Sequence, residues 1–273
     1  NRADSGGLSI SSSRKTPYPE VTGYTIPTLY QWGEKELARE LVLWLIERQN
    51  KDGSFSAPDG EAYTFDTGQA VRGLVSALDD LPDIERPLRN ACDWILTQVQ
   101  PDGRLDTPST KMWGTTADDR IHLYVLPPLI EAGKSLNEQS YINAASRILQ
   151  YYKKKKNLTD FDTLSHFHAY VIESLCDLGE FELAKAGMVQ AAVLQKKNGS
   201  IQAYRNVSWL CSTGLAQYAV IWYKLGLHDK ADRALRYLEN IQRRGGGFLG
   251  SYGWNAKYFP NEEISWAVKF FLD

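Results

Sequence analysis

Three of the four histidines in this chain, His122, His166 and His168, stand where apolar segments begin. Carboxylates gather at the same kind of place. Asp66 precedes Thr67-Gly68, the neighbours Asp118 and Asp119 precede Arg120, and Glu262-Glu263 precede the final apolar run. Two carboxyl groups can divide acid and base roles between them. Glycoside hydrolysis needs such a pair roughly 5 to 9.5 Å apart, the spacing depending on stereochemistry. Adjacent carboxylates such as Asp118 and Asp119 raise one another's pKa, which suits a proton donor. A histidine with a tyrosine suits another reaction, abstraction of the acidic hydrogen beside a sugar carboxylate. Arg72, Arg120 or Arg205 would hold that carboxylate, and Arg72 could instead orient Asp66.

Aromatic residues complete the inventory. Trp113, Trp209 and Trp254 lie in segments between apolar runs, where a sugar ring could stack on them, with Tyr63 and Tyr204 beside them. The other tryptophans considered, Trp44, Trp94, Trp222 and Trp266, sit in helical patterns and read as packing residues. Each candidate also has a plainer role. Asp66 could cap a helix, one of Asp118 and Asp119 could do the same, and a lone helical histidine is commonly structural. A zinc site from His166, His168 and Cys211 is conceivable, but their spacing matches no compact metal motif. No metal or other cofactor is expected.

These residues are placed by a repeat that shows in two registers. The first is a turn: Gln49-Asn-Lys-Asp-Gly53-Ser-Phe55, then Gln100-Pro-Asp-Gly103-Arg-Leu105, Gln195-Lys-Lys-Asn-Gly199-Ser-Ile201 and Gln242-Arg-Arg-Gly-Gly246-Gly-Phe248. The glycines are 50, 96 and 47 residues apart, so one copy has decayed near Lys153–Thr159. Asn or Asp before Gly is turn chemistry, with Gly taking the positive φ. The second register is Thr22, Thr67, Thr116, Ser165, Thr213 and Ser265, each before an apolar run and each expected to be a helix N-cap.

Two helix classes follow. Gln69–Leu78, Ile121–Ile130, Ala169–Leu178, Leu215–Leu225 and Ser265–Leu272 are apolar and poor in charge, hence inner. Glu34–Arg48, Ile84–Gln98, Asn137–Tyr152, Phe181–Gln195 and Lys230–Gln242 are amphipathic, hence outer. Inner-helix N-termini and the loops that feed them should share one face, the expected site of function, with the short Asn/Asp-Gly turns on the other. The expected organisation is a flexible lead-in over 1–17 and a single all-α domain over 18–273. The final inner helix lacks an outer partner, so a second chain, or a segment lost from the N-terminus, is expected to cover it. The chain begins at Asn1 rather than methionine, as a processed or cut chain would.

Bulk properties remove other classes. With 31 basic and 33 acidic residues the net charge is -2, which leaves no electrostatic footprint for nucleic acid. No apolar run approaches the ~20 residues of a membrane span. The three cysteines are odd in number and far apart, and no signal-peptide core is evident, so a reducing, cytoplasmic setting is expected.

The repeat resembles the α/α-toroid superfamily, which includes six-hairpin glycosidases, polysaccharide lyases, sugar epimerases and terpenoid cyclases. The Gln-x-x-Asp/Asn-Gly turns are similar to the glutamine–glycine repeats of triterpene cyclases, with Phe55, Leu105, Ile201 and Phe248 where that repeat ends in Trp. Tyr18-Pro-Glu-Val-Thr-Gly-Tyr24 and Phe65-Asp-Thr-Gly-Gln-Ala-Val-Arg-Gly-Leu74 look like segments of bacterial proteins associated with surface polysaccharides. The resemblance implies an α/α toroid of about six helical hairpins and a carbohydrate-active enzyme, a glycoside hydrolase or a uronate lyase or epimerase, acting on a glycan. Two alternatives stand beside it. An isoprenoid-handling cyclase fits the turns, although Thr116-Ala-Asp118-Asp119 lacks the first Asp of the cyclase acid motif. A non-catalytic binding platform fits the incomplete outer ring.

Overall fold

The computed structural model describes residues 2–3, 5–106 and 119–273. Asp118, Trp113 and Thr116 therefore lie outside the described residues. Internal packing divides the chain into two compact units, Asn1–Ile10 with Arg14–Lys156, and Ser11–Ser13 with Asn157–Asp273.

The first unit consists of helical hairpins. Helices α1 (Pro19–Gln31) and α2 (Lys35–Glu47) form one, α3 (Thr64–Ala77) and α4 (Glu85–Thr97) the next, and α5 (Leu126–Ser135) and α6 (Gln139–Lys153) the third. A 3₁₀ segment, Asp119–Val125, leads into α5. The second unit pairs α7 (Ser165–Asp177) with α8 (Phe181–Leu194) and α9 (Ser212–Lys224) with α10 (His228–Ile241), and ends in α11 (Ser265–Leu272). Inner and outer helices alternate as the sequence implies. Almost every residue from Ser165 to Cys176 of α7 is buried, whereas α10 buries only the stripe Ala231, Ala234 and Leu238. Helix α8 departs from the charged outer pattern, since Val189 and Val193 are exposed.

The turn register has a shared geometry. Gln49 donates through Nε2 to Gly53 O and to Pro87 O of the following outer segment. Gln195 does the same to Gly199 O and Lys230 O. The side chains of Asp52, Asp102 and Asn198 each accept the backbone N–H two residues on. Gly199 has φ +94°, and a Cβ there would lie 1.9 Å from Arg233 O. The glycine therefore answers both to backbone conformation and to the close approach of α10.

Several expectations are corrected. The hydroxyl register does not cap helices through side chains; the caps include Tyr18, Tyr63, Leu164, Cys211 and Ile264, none with a side-chain capping bond. Thr22 and Thr67 sit inside the first turn and accept the backbone N–H of Leu8 and Phe55, so they tie the preceding segment to the helix. The glycine turns run from outer-helix C-termini straight into the loops that feed inner helices. They thus lie at the same end of each hairpin as the inner-helix N-termini, and the opposite end carries the short links 78–81, 136–137 and 225–227.

Where it is described, the segment over 1–17 makes defined contacts. Trp44 Nε1 donates to Ser5 O, Ser9 bridges to Pro17, and Ser9, Ile10 and Ser11 are buried. In the second unit Ser11 bridges to Ile264, Ser12 N donates to Glu263 O at 2.8 Å, and Ser11 and Ser13 bond Glu262. Residues upstream of Thr22 thus reach the start of α11. The Gly-rich segment Gly245–Tyr252 is not entirely loop, because β2 (Ser251–Tyr252) pairs antiparallel with β1 (Leu210–Cys211). Cys92, Cys176 and Cys211 are free and buried. Among the described residues no helix is long and apolar enough to cross a membrane.

Candidate functional site

Asp66 is the third residue of α3 and is buried at 2% exposure. It is no cap. Its Oδ2 accepts the Tyr18 hydroxyl at 2.7 Å. Tyr18 itself precedes α1 in extended conformation and is fully buried. Tyr63 holds the equivalent place before α3, and its hydroxyl donates to Asp59 at 2.7 Å. The two tyrosines stand four residues before Thr22 and Thr67, so one repeat position supplies a phenol to a carboxylate twice over.

Burial pushes the Asp66 carboxyl up to about 7, the Tyr18 hydrogen bond opposes this, and the charge of Asp59 adds to the rise. The Tyr18 phenol is held far above its usual range by burial, Asp66 and Glu20. Asp66 is therefore a carboxyl that keeps a proton near neutrality and sits beside a phenol that does not ionise. That combination suits a general acid.

Arg72 turns to Gln69 and Tyr124 rather than to Asp66. Its Nε donates to Gln69, its NH2 group to Tyr124 O at 2.9 Å, and its guanidinium lies 4.2 Å from the Tyr124 ring centroid. Asp119 pairs with Lys155 at 2.9 Å and is partly exposed. Arg120 is buried. His122 is buried, with its Nδ1 3.4 Å from the Tyr152 hydroxyl. Burial holds this imidazole down to about 4, against the nearby charges of Asp119 and Asp106.

The second unit treats His166 and His168 differently. His168 uses both nitrogens, Nε2 with Thr159 O at 3.1 Å and Nδ1 with the Tyr218 hydroxyl at 2.8 Å. A backbone carbonyl only accepts, so Nε2 carries the proton and Nδ1 accepts from Tyr218. This is the pattern of a packed, satisfied histidine. His166 lies among Tyr170, Tyr258, Trp266 and Phe270, the nearest ring centroid 4.3 Å away. Its Nδ1 meets Gln217 Oε1 at 2.5 Å. Gln217 in turn donates to Glu173, which accepts from Lys224, and Lys224 also pairs with Asp177 at 2.6 Å. Since Gln217 spends its amide N–H on Glu173, its oxygen faces His166 and Nδ1 must carry the proton. Burial holds His166 down to about 3, so the ring is neutral.

The remaining candidates separate. Tyr204 and Trp209 meet edge to face at 5.7 Å, and Trp254 stands beside them with 84% of its surface exposed. Arg205 is taken up by Gln190. Glu263 pairs with Arg243 at 3.1 Å, in the company of the Gln242 turn rather than of the other candidates. Among the described residues no three His, Cys, Asp or Glu side chains group to hold a metal, so His166, His168 and Cys211 form no such cluster.

Sequence reasoning did not assign Gln217 and Glu173, and it quoted Tyr18 only at the head of the segment that ends at Tyr24. A signal for them exists in the repeat. Tyr18 and Asp66 are 48 residues apart, His166 and Gln217 51, His168 and Tyr218 50, and Glu173 and Lys224 51. Each pair spans one repeat and so faces across neighbouring inner helices.

No family model matches the chain. Among solved structures it is similar to an alpha-amylase from Clostridium perfringens, with TM-score 0.76 and 15% identity over 99% of this chain and 92% of that one. It is similar to an unsaturated glucuronyl hydrolase specific for heparin, with TM-score 0.74 and 16% identity over 97% and 89%. It is also similar to a D-mannose isomerase, with TM-score 0.72 and 11% identity over 98% and 92%. These likenesses show the fold, which is an α/α toroid.

Proposed function

We propose that this chain is a carbohydrate-active enzyme that cleaves a glycan by acid–base catalysis, with Asp66 as the proton donor. The observation that carries the reading is the Tyr18–Asp66 pair. A carboxyl near pKa 7 gives a proton to a departing glycosidic oxygen far more readily at neutral pH than an ordinary aspartate does. Hydrolysis needs a second carboxyl to activate water or attack the sugar. Asp118 and Asp119 are the candidates for it, with His122 beside Asp119 in the same segment. The structural likeness to an alpha-amylase, a glucuronyl hydrolase and a sugar isomerase supports a carbohydrate substrate for this chain as well.

A second reading has its own observation. His166 is neutral, fixed with its proton on Nδ1, and lies beside Tyr170 and Tyr258. Such a histidine suits proton abstraction next to a sugar carboxylate, the step shared by elimination and epimerisation.

One assay separates the two. The protein is incubated with neutral and uronate-containing polysaccharides while new reducing ends and ultraviolet absorbance from a new carbon–carbon double bond are both followed. Hydrolysis yields reducing ends alone, whereas elimination yields both. Asp66→Asn should abolish the first, and His166→Phe the second. Full activity of Asp66→Asn would remove Asp66 from the mechanism, and the lack of both signals with every polysaccharide would defeat both cleaving reactions, hydrolysis and elimination.

A further inference from the structure

The two-residue ladder in the second unit has an effect beyond its own hydrogen bonds. Leu210 pairs with Tyr252 and Cys211 with Ser251. The loop before β1 and the loop after β2 are therefore forced side by side. Gly253 has φ +122°, and a Cβ on it would lie 2.9 Å from the Cα of Trp209, so the second loop runs directly over that tryptophan. Asn255 follows in the left-handed region at φ +55°. The chain then reaches Tyr258, which stacks against Trp266, 6.4 Å ring to ring.

Between the loops lies a cavity of about 380 Å³. Trp209 is its buried floor, and Tyr204 stands against it edge to face. Trp254 rises at the rim and is 84% exposed. Asn206, Asn255 and Lys257 bring amide and ammonium groups to the same opening. A tryptophan this exposed forgoes the hydrophobic gain of burial. A flat aromatic face at the edge of a polar recess, held by a backbone that cannot easily collapse onto it, is complementary to one chemistry above others. A pyranose ring offers apolar C–H groups on its face and hydroxyls around its edge. The face matches Trp254, and the edge matches the two asparagines and Lys257.

We infer that this cavity is a glycan-binding subsite that takes a pyranose ring against Trp254. The inference rests on the proposed carbohydrate function and deepens it. The chain would recognise a sugar polymer at a surface in its second unit, which the acid–base group in the first unit does not supply. Neutral and acidic polysaccharides share the ring chemistry, and Lys257 distinguishes them, because an ammonium favours a carboxylate-bearing sugar.

The test is binding rather than turnover, so it is read separately from catalysis. Native gels are cast with hydroxyethylcellulose as the neutral polymer or with polygalacturonate as the acidic one. Asp66→Asn serves as the parent chain, so that the polymer is not consumed during the run. The parent should be retarded in at least one gel. Trp254→Ala in that background should weaken retardation about tenfold or more in apparent affinity, as loss of an aromatic anchor does. Its melting curve should match the parent's, because an exposed ring contributes little to the core. Lys257→Ala should weaken retardation only in the polygalacturonate gel, and most at low salt. If the parent passes both gels unretarded, or if Trp254→Ala is retarded as strongly as the parent, the subsite does not exist. Hydrolysis that depends on Asp66 would leave the function standing in that case. Retardation that depends on Trp254 without any hydrolysis would leave the subsite standing and remove the function.

Discussion

The Tyr18 hydroxyl donates to Asp66 Oδ2 at 2.7 Å, and both groups are buried. The bond stabilises the charged carboxylate while the surrounding protein penalises it, and burial is the larger influence. Tyr18 is in this sense a tuner of Asp66. Removing its hydroxyl should raise the Asp66 pKa further, by roughly one to two units if the bond is worth what charge-assisted hydrogen bonds usually are. In Tyr18→Phe the alkaline limb of the kcat/KM profile should move to higher pH, because a general acid must hold its proton. A limb that stays in place, or moves down, would show that Asp66 is not the group being titrated.

Asp66 also sets a pH dependence of stability. Its folded pKa of about 7 lies above the ordinary aspartate value near ~3.9, so the folded state binds the extra proton between those values. The sign follows directly. Stability is greatest below the lower value, falls as pH rises through the window, and levels off above the upper one. Asp66→Asn should flatten this slope and be more stable than wild type at pH ~8, by on the order of a few kcal/mol. The same variant should lose activity by about two orders of magnitude or more. Urea midpoints measured across pH check the first statement and initial rates the second.

His166 works in the opposite sense. Burial holds it at about 3, below the usual histidine value near ~6.5, so the folded state excludes a proton that the unfolded chain accepts. Its contribution is complete above the upper value and is lost as pH falls toward the lower one. His166→Phe, which suits the aromatic surroundings, should give a shallower loss of melting temperature between those limits. Gln217→Ala should cost more than its lost volume alone implies. It leaves the His166 Nδ1 proton without its acceptor, at about 1–3 kcal/mol for a buried polar group so orphaned, and takes from Glu173 one of its bonds while the Lys224 pair stays. The tautomer read by nitrogen NMR should shift in Gln217→Ala; an unchanged spectrum would deny Gln217 its positioning role.

The repeat turns can be tested by two glycines of different setting. Gly199→Ala meets both a positive φ and the Arg233 carbonyl, so a loss above about 3 kcal/mol is expected, the range that marks severe steric conflict. Gly226 follows α9 with φ +74° and has nothing within 4 Å of a built Cβ. Its substitution by Ala should cost only about 1 kcal/mol, the backbone term alone. Equal urea midpoints for the two variants would contradict the close approach of α10 to the turn.

The helical hairpin repeat is legible in residue pattern alone, because burial writes itself into local pattern. Inner helices such as α7 must be apolar on nearly every side, and outer helices such as α10 on one stripe, and both read directly from residue type. Residue pattern also shows that glycine must stand at 53, 103, 199 and 246, since a positive φ is a local property. The tertiary structure decided what each hydroxyl, carboxylate and histidine does. Thr22 and Thr67 look like caps by position, yet they bind segments twelve or more residues away. His166 and His168 are two residues apart, yet α7 turns them to different neighbours, Gln217 for one and Tyr218 with Thr159 for the other. Asp66 is one acid among many in the sequence and acquires a raised pKa only when α1 and α3 close over it with Tyr18. Desolvation and partner geometry depend on what packs across a repeat, some fifty residues distant, and local sequence does not carry that information.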